Sequence, residues 1–152
     1  MVVVAVVIAF GSGSSSAVVA AQHLIVTGPG PGGGPHVALF KADDAKTQIN
    51  FFAYAPGFAG GVDVALGDLD GDGRLEIITG PGAGGGPHVR VFNDHGVAID
   101  KWAFFAYAGS FSGGVNVGVA DIDGDENKEI LTAPASGGPP LVRVWDIVGD
   151  KA

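Results

Sequence analysis

Residues 68–76 read DLDGDGRLE and hold the densest set of oxygen donors in the chain. Asp68, Asp70 and Asp72 alternate, Gly73 permits a sharp turn, Arg74 can offer its backbone carbonyl, and Glu76 returns at the ninth position. Calcium takes about six to eight hard oxygen ligands in flexible geometry, and alternating carboxylates wrapped around a glycine turn converge on one point. The competing reading is a solvated acidic turn, since Asp and Gly are common turn residues. Electrostatics favours the ion: four carboxylates in nine residues, folded into one tight turn, repel one another unless a cation neutralises them. The loop is not an EF-hand, because its twelfth position is Thr79 rather than a bidentate Glu and its flanks read as strands rather than helices.

A second copy, DIDGDENKE at 121–129, keeps Asp121, Asp123, Asp125 and Glu129, with Asn127 at the carbonyl position. It departs at the turn, where Glu126 replaces glycine. A side chain there penalises a left-handed backbone, so this loop is expected to bind calcium more weakly or with altered geometry. The corresponding stretch upstream, SAVVAAQHL at 16–24, has no carboxylate. Two unequal Ca2+ sites are therefore expected. Half of the 16 acidic residues lie at these positions, and two divalent ions would cancel half of the formal net charge of -8.

The elements that must position these loops emerge when the sequence is laid over itself. Residues 51–92 match 104–145 without a gap at an offset of 53, and residues 24–40 match 76–92 at an offset of 52. A repeat period of about 50 residues points to solenoids, propellers or arrays. The units run over about 24–50, 51–103 and 104–150. Within the complete unit, 62–68, 75–80, 88–92 and 98–107 are β-branched or aromatic runs bounded by Gly, Pro, Asn or Asp. No segment carries a sustained helical period with caps. Four short antiparallel strands in about 50 residues is the content of one propeller blade. The fold class expected is thus all-β: about three four-stranded antiparallel blades in an incomplete propeller-type array.

The glycine-rich stretch GPGPGGGPH at 28–36 contains a GxGxxG spacing, but HVALF follows it as another strand rather than as a helix whose N-terminus holds phosphate. Pro29, Pro31 and Pro35 also lack the amide hydrogens a phosphate loop donates. The stretch reads as a hairpin connection. His36 and His88 recur at one place, yet the third unit has Leu141 there, so a packed strand position is favoured over a metal ligand. Phe51, Phe52, Tyr54 and Phe58 recur as Phe104, Phe105, Tyr107 and Phe111, which fits packing between blades better than a ligand site formed once. Trp102 and Trp145 also read as packing residues, whereas His23 and His95 have no evident partner.

Bulk composition bounds the rest. In 152 residues, 47% apolar content can supply one real core. The eight Lys and Arg are scattered, which argues against a nucleic-acid partner and for cations. With no cysteine there is no disulfide, thiolate metal site or cysteine nucleophile. Residues 1–23 open with MVVVAVVIAF. This run is either the apolar core of a signal peptide, with a cleavage-compatible Val18-Val19-Ala20, or a first buried strand, and it is too short to span a bilayer as a helix.

Taken with GGGPHVRVF and FFAYAPGFAGGV, the Asp-rich loops over about residues 24–150 resemble the FG-GAP/VCBS repeats of bacterial extracellular proteins, which are similar to the calcium-binding blades of integrin α-subunit propellers. The resemblance implies β-propeller blades with Ca2+ on a hairpin loop, held here by Asp68, Asp70, Asp72, Arg74 and Glu76 and by Asp121, Asp123, Asp125, Asn127 and Glu129. It further implies secretion, an extracellular or cell-surface location, and adhesion or binding to a protein or polysaccharide. Propellers close with about four to eight blades, so further blades from a longer chain or from self-association are expected. The alternative function is a propeller part of a secreted hydrolase. The non-repeated polar residues His23, Lys46, Gln48, Asp94 and His95 form no recognisable nucleophile and base set, which favours a binding module over an enzyme.

Overall fold

Short β-branched runs punctuated by Gly, Pro and Asx turns satisfy their backbone hydrogen bonds by hairpin pairing. The computed structural model, which describes residues 2–8, 23–44, 46–125 and 127–147, forms strands from these runs throughout, with no α-helix among the described residues. Three antiparallel sheets follow one another along the chain. Sheet one contains β1 (Val2–Ile8), β2 (His23–Pro29), β3 (His36–Lys41) and β4 (Thr47–Phe52). Sheet two contains β5 (Val62–Gly67), β6 (Glu76–Pro81), β7 (His88–Phe92) and β8 (Phe104–Phe105). Sheet three contains β9 (Val115–Ala120), β10 (Glu129–Pro134) and β11 (Arg143–Trp145). Each is a meander in which neighbours in sequence are neighbours in the sheet.

The sheets stack face to face in chain order, and contacts between successive sheets concentrate at their first two strands: β5 lies against β1 and β2 on one side and against β9 on the other. Two apolar layers result. Val26, Val37 and Leu39 of sheet one meet Val62, Val64, Leu66 and Ile77 of sheet two. Ile78, Val89 and Val91 on the opposite face of sheet two meet Val115 and Ile130 of sheet three. Burying each such side chain stabilises the stack by about 1.5–3 kcal/mol. Two glycines set the closest approach. A Cβ at Gly28 would lie 2.3 Å from the Val62 carbonyl oxygen, and one at Gly80 would lie 2.2 Å from that of Val115.

The second junction repeats the first group by group. Gly32 N–H donates to Ala59 O at 3.0 Å and Gly84 N–H to Ser112 O at 2.8 Å. Arg90 Nη1 donates to Ala53 O at 2.6 Å and Arg143 Nη1 to Ala106 O at 2.7 Å. Phe51 packs on Phe92 with centroids 4.6 Å apart, and Phe104 on Trp145 at 4.4 Å.

Several expectations change in detail. The strand expected over 98–107 is interrupted: Ala98 bridges Phe92, Asp100–Trp102 turns into a 3-10 helix that carries Trp102 into the layer between sheets two and three, and strand pairing resumes at Phe104–Phe105. Sheet three has three strands among the described residues, as the lack of a strand run after LVRVW leads one to expect. Phe52 and Phe105 do not join the packing between sheets. They are mostly exposed and lie against His36 and His88, with ring centroids 5.5 and 4.8 Å apart. The GPGPGGGPH stretch connects β2 to β3 as a hairpin. At the N-terminus, β1 pairs with β2 along its whole length, whereas Val18-Val19-Ala20 falls outside the described residues. No helix among the described residues is long and apolar enough to cross a membrane.

Candidate metal centre

Pairing of Gly67 with Glu76 closes the β5–β6 hairpin just below Asp68, and pairing of Ala120 with Glu129 closes the β9–β10 hairpin below Asp121. Each register brings the last acidic residue of the loop back beside the first. Asp68, Asp70 and Glu76 thus offer carboxylate oxygens that all lie within 4.8 Å of one another, and Asp121, Asp123 and Glu129 do the same. These two clusters can hold a metal ion.

The first loop is tied by its own carboxylates. Asp68 accepts the amide hydrogens of Gly71 and Gly73 at 2.8 and 2.9 Å, one on each oxygen. Asp70 accepts from Asp72 N at 3.3 Å, and Asp72 accepts from Arg74 N at 2.8 Å. Glu76 Oε2 accepts from Leu69 N at 2.9 Å. Gly71 and Gly73 adopt φ of 73° and 84°, the left-handed turns that let the chain wrap around its acids. Asp70, Asp72 and Glu76 each commit one oxygen to the backbone, and no hydrogen bond among the described residues takes the other.

The loop straddles core and solvent. Asp70 is exposed, Asp68 is half-buried, and Glu76 is buried. Leu69, between two of the acids, is fully buried in the layer between sheets two and three. Burial first, and then the charges of Asp70, Asp68 and Asp72, push the Glu76 carboxyl up to about 7, against the Leu69 amide, which lowers it. A bound cation would remove the repulsion and favour the ionised carboxylate.

Of the ten residues expected from sequence, six enter the two clusters. Asp72 and Arg74 stay on the first loop but outside its cluster, and the exposed Arg74 reaches Asp94 at 3.7 Å. Asp125 likewise stays outside the second cluster, where it accepts from Asn127 N at 2.9 Å. The second loop otherwise repeats the first: Asp121 accepts from Gly124 N, Asp123 from Asp125 N and Glu129 from Ile122 N. Glu126, on which the weaker-site expectation rested, lies outside the described residues.

Sequence reasoning missed Lys128, whose Nζ stands 3.8 Å from Asp121 Oδ2. Its counterpart in the first loop is the buried Leu75, so aligning the two loops exposes the difference. A lysine beside one ligand competes with a cation for that charge. His23 and His95, left unpartnered by the sequence, stand 3.5 Å from Asp43 and 3.7 Å from Asp94. Neither they nor His36 and His88 belong to an acidic cluster. Compared with family models, with curated proteins and with solved structures, the chain matches none.

Proposed function

We propose that this chain is a run of calcium-binding β-propeller blades of the FG-GAP/VCBS type, with structural ions, which serves outside the cell or at its surface in adhesion or in binding a protein or polysaccharide. The observation that carries this reading is the recurrence of one three-carboxylate cluster at the same hairpin in two successive sheets. An isolated acidic turn is ordinary, whereas two turns with the same register, the same backbone ties and the same buried glutamate repeat a design.

The donors argue for calcium among metals. Both clusters are built of oxygen alone, which suits hard cations rather than zinc or copper. Asp68, Asp70 and Glu76 would hold one ion and Asp121, Asp123 and Glu129 the other, with the neighbouring loop groups and water completing a coordination that Ca2+ accepts in irregular form. The ion would neutralise charge and fix the loop. Millimolar calcium outside cells would keep even modest sites filled, which supports an extracellular setting. The propeller reading is supported by the way successive sheets meet at their first two strands, as blades fanning from an axis do.

Thermal unfolding tests the structural role. Calcium is expected to raise the melting temperature, chelator to lower it, and magnesium at equal concentration to restore little of the loss. Binding of the chain to immobilised polysaccharides and matrix proteins, with and without chelator, tests the surface role. Melts indifferent to calcium would contradict the reading.

A further inference from the structure

We propose that Asp94, a residue outside the ligand set, positions the first acidic loop for calcium by anchoring Arg74, and that this anchor makes the first site the tighter of the two. The inference rests on the calcium reading above and adds to it a residue that acts through another. Its ground is the ion pair between Arg74 Nη1 and Asp94 Oδ2, 3.7 Å apart. Arg74 stands at the seventh position of the loop, where the sequence pattern offers its backbone carbonyl as a ligand. Its amide donates to Asp72 Oδ1 at 2.8 Å, its guanidinium reaches Asp94, and the next residue, Leu75, is buried in the layer between sheets one and two. The Arg74 carbonyl is therefore held from both sides.

Asp94 is fit to anchor because the turn that carries it is itself tied down. Asn93 N–H donates to Val97 O, and Asn93 O accepts from Gly96 N, both at 2.9 Å. Asn93 Oδ1 accepts from His95 N at 3.0 Å and from Val97 N at 2.9 Å. Gly96, at a φ of 74°, lies against sheet one: a Cβ there would stand 2.8 Å from the Phe51 ring and 3.3 Å from Ile49. The Asp94 side chain is 19% exposed and that of Arg74 59%, so the aspartate is the fixed partner of the pair. Its other oxygen stands 3.7 Å from His95 Nε2.

The second loop lacks this device. Asn127 stands in the place of Arg74 and Ile147 in that of Asp94. The cation beside that loop, Lys128, pairs instead with Asp121, a member of the acidic cluster itself. Two basic side chains thus act in opposite senses: Lys128 competes for a ligand, whereas Arg74 is neutralised by an acid outside the loop. Charges that cancel leave the field at the ion nearly unaltered, so the pair contributes the position of the loop. A loop ordered beforehand loses less conformational entropy when it closes on an ion. An ion pair this open to solvent changes affinity a few-fold and no more.

Calcium titration of the whole chain by calorimetry, with the rate of release into excess chelator, tests the proposal. The deciding variant combines Arg74→Met with Asp94→Asn, which exchanges a neutral pair for an uncharged one of similar size. Affinity at the first site is expected to fall about twofold to fivefold, with faster release, while the second site holds. In chelator, amide exchange over residues 68–76 is expected to quicken in the same variant and that over 121–129 to stay as it was. Asp94→Asn alone leaves the Arg74 charge unopposed and is expected to weaken the first site at least as much. A double variant that binds calcium as the unaltered chain does, that weakens both sites alike, or that exchanges unchanged over 68–76 would overturn the proposal and leave the calcium reading standing. Loss of one ion from the stoichiometry in Asp94→Asn would overturn it as well, since Asp94 would then be a ligand. An unaltered chain that binds no calcium would overturn the calcium reading, and this inference with it.

Discussion

Glu76 sits at the floor of the first loop with its carboxyl pushed up from 4.5 to about 7 by burial and by three neighbouring aspartates. Without metal, the folded chain keeps a proton that the unfolded chain has released, so stability falls as pH rises from about 4.5 through 7. Calcium requires the ionised form, so its stabilising effect must grow over the same window. The rise in melting temperature on adding calcium is expected to be larger near pH 8 than near pH 5, and Glu76→Gln to flatten the difference. Equal shifts at both pH values would show that Glu76 is not a ligand. At the second loop, Lys128→Leu removes a cation 3.8 Å from Asp121 and is expected to tighten calcium there several-fold, read by calorimetry. The alternating acids could be read from sequence because hairpin geometry turns that spacing into proximity. The position of Asp72 could not, because its bond to the Arg74 amide is one of several local ties open to a loop carboxylate.

The hairpins fuse the acidic loops to the layers between sheets. Leu69 donates its amide to Glu76 and buries its side chain against sheet three, so the loop cannot reshape without disturbing that layer. Leu69→Ala is expected to cost about 2–5 kcal/mol and to weaken calcium at the first loop, measured by denaturant unfolding and titration. Glycines separate by role. Gly80→Ala drives a Cβ against the Val115 carbonyl and should cost about 1–3 kcal/mol. Gly86→Ala meets nothing within 4 Å and should be near neutral. Sequence spacing located most strands within a residue or two, since period-two runs ended by Gly and Pro have few alternatives. It overextended the strand ending at Phe105, because the pull of Trp102 into a layer made by two other strands is tertiary and leaves no local mark.

Across the whole molecule, the offset repeat in sequence becomes a repeated junction between sheets, with equivalent arginines, glycines and aromatic pairs on both sides of sheet two. The sequence units begin at 51 and 104, inside the last strand of a sheet, so the repeat was readable while its phase against the sheets was not. The junctions differ at one hydroxyl. Tyr54 bonds Thr79 and His88 across the first junction, whereas the hydroxyl of Tyr107 at the second is buried without a partner among the described residues. Tyr54→Phe should destabilise the chain by about 1–2 kcal/mol in denaturant unfolding, and Tyr107→Phe should be neutral or stabilising. Comparable losses in both variants would mean the two junctions are bonded alike.

The central claim, that the two hairpin clusters are paired calcium sites, is tested most directly by calorimetric titration of the chain with calcium. The account predicts two ions per chain with unequal affinities, the tighter lost in Asp70→Ala and the weaker in Asp123→Ala. A titration without heat of binding, or one whose sites survive both substitutions, would contradict it.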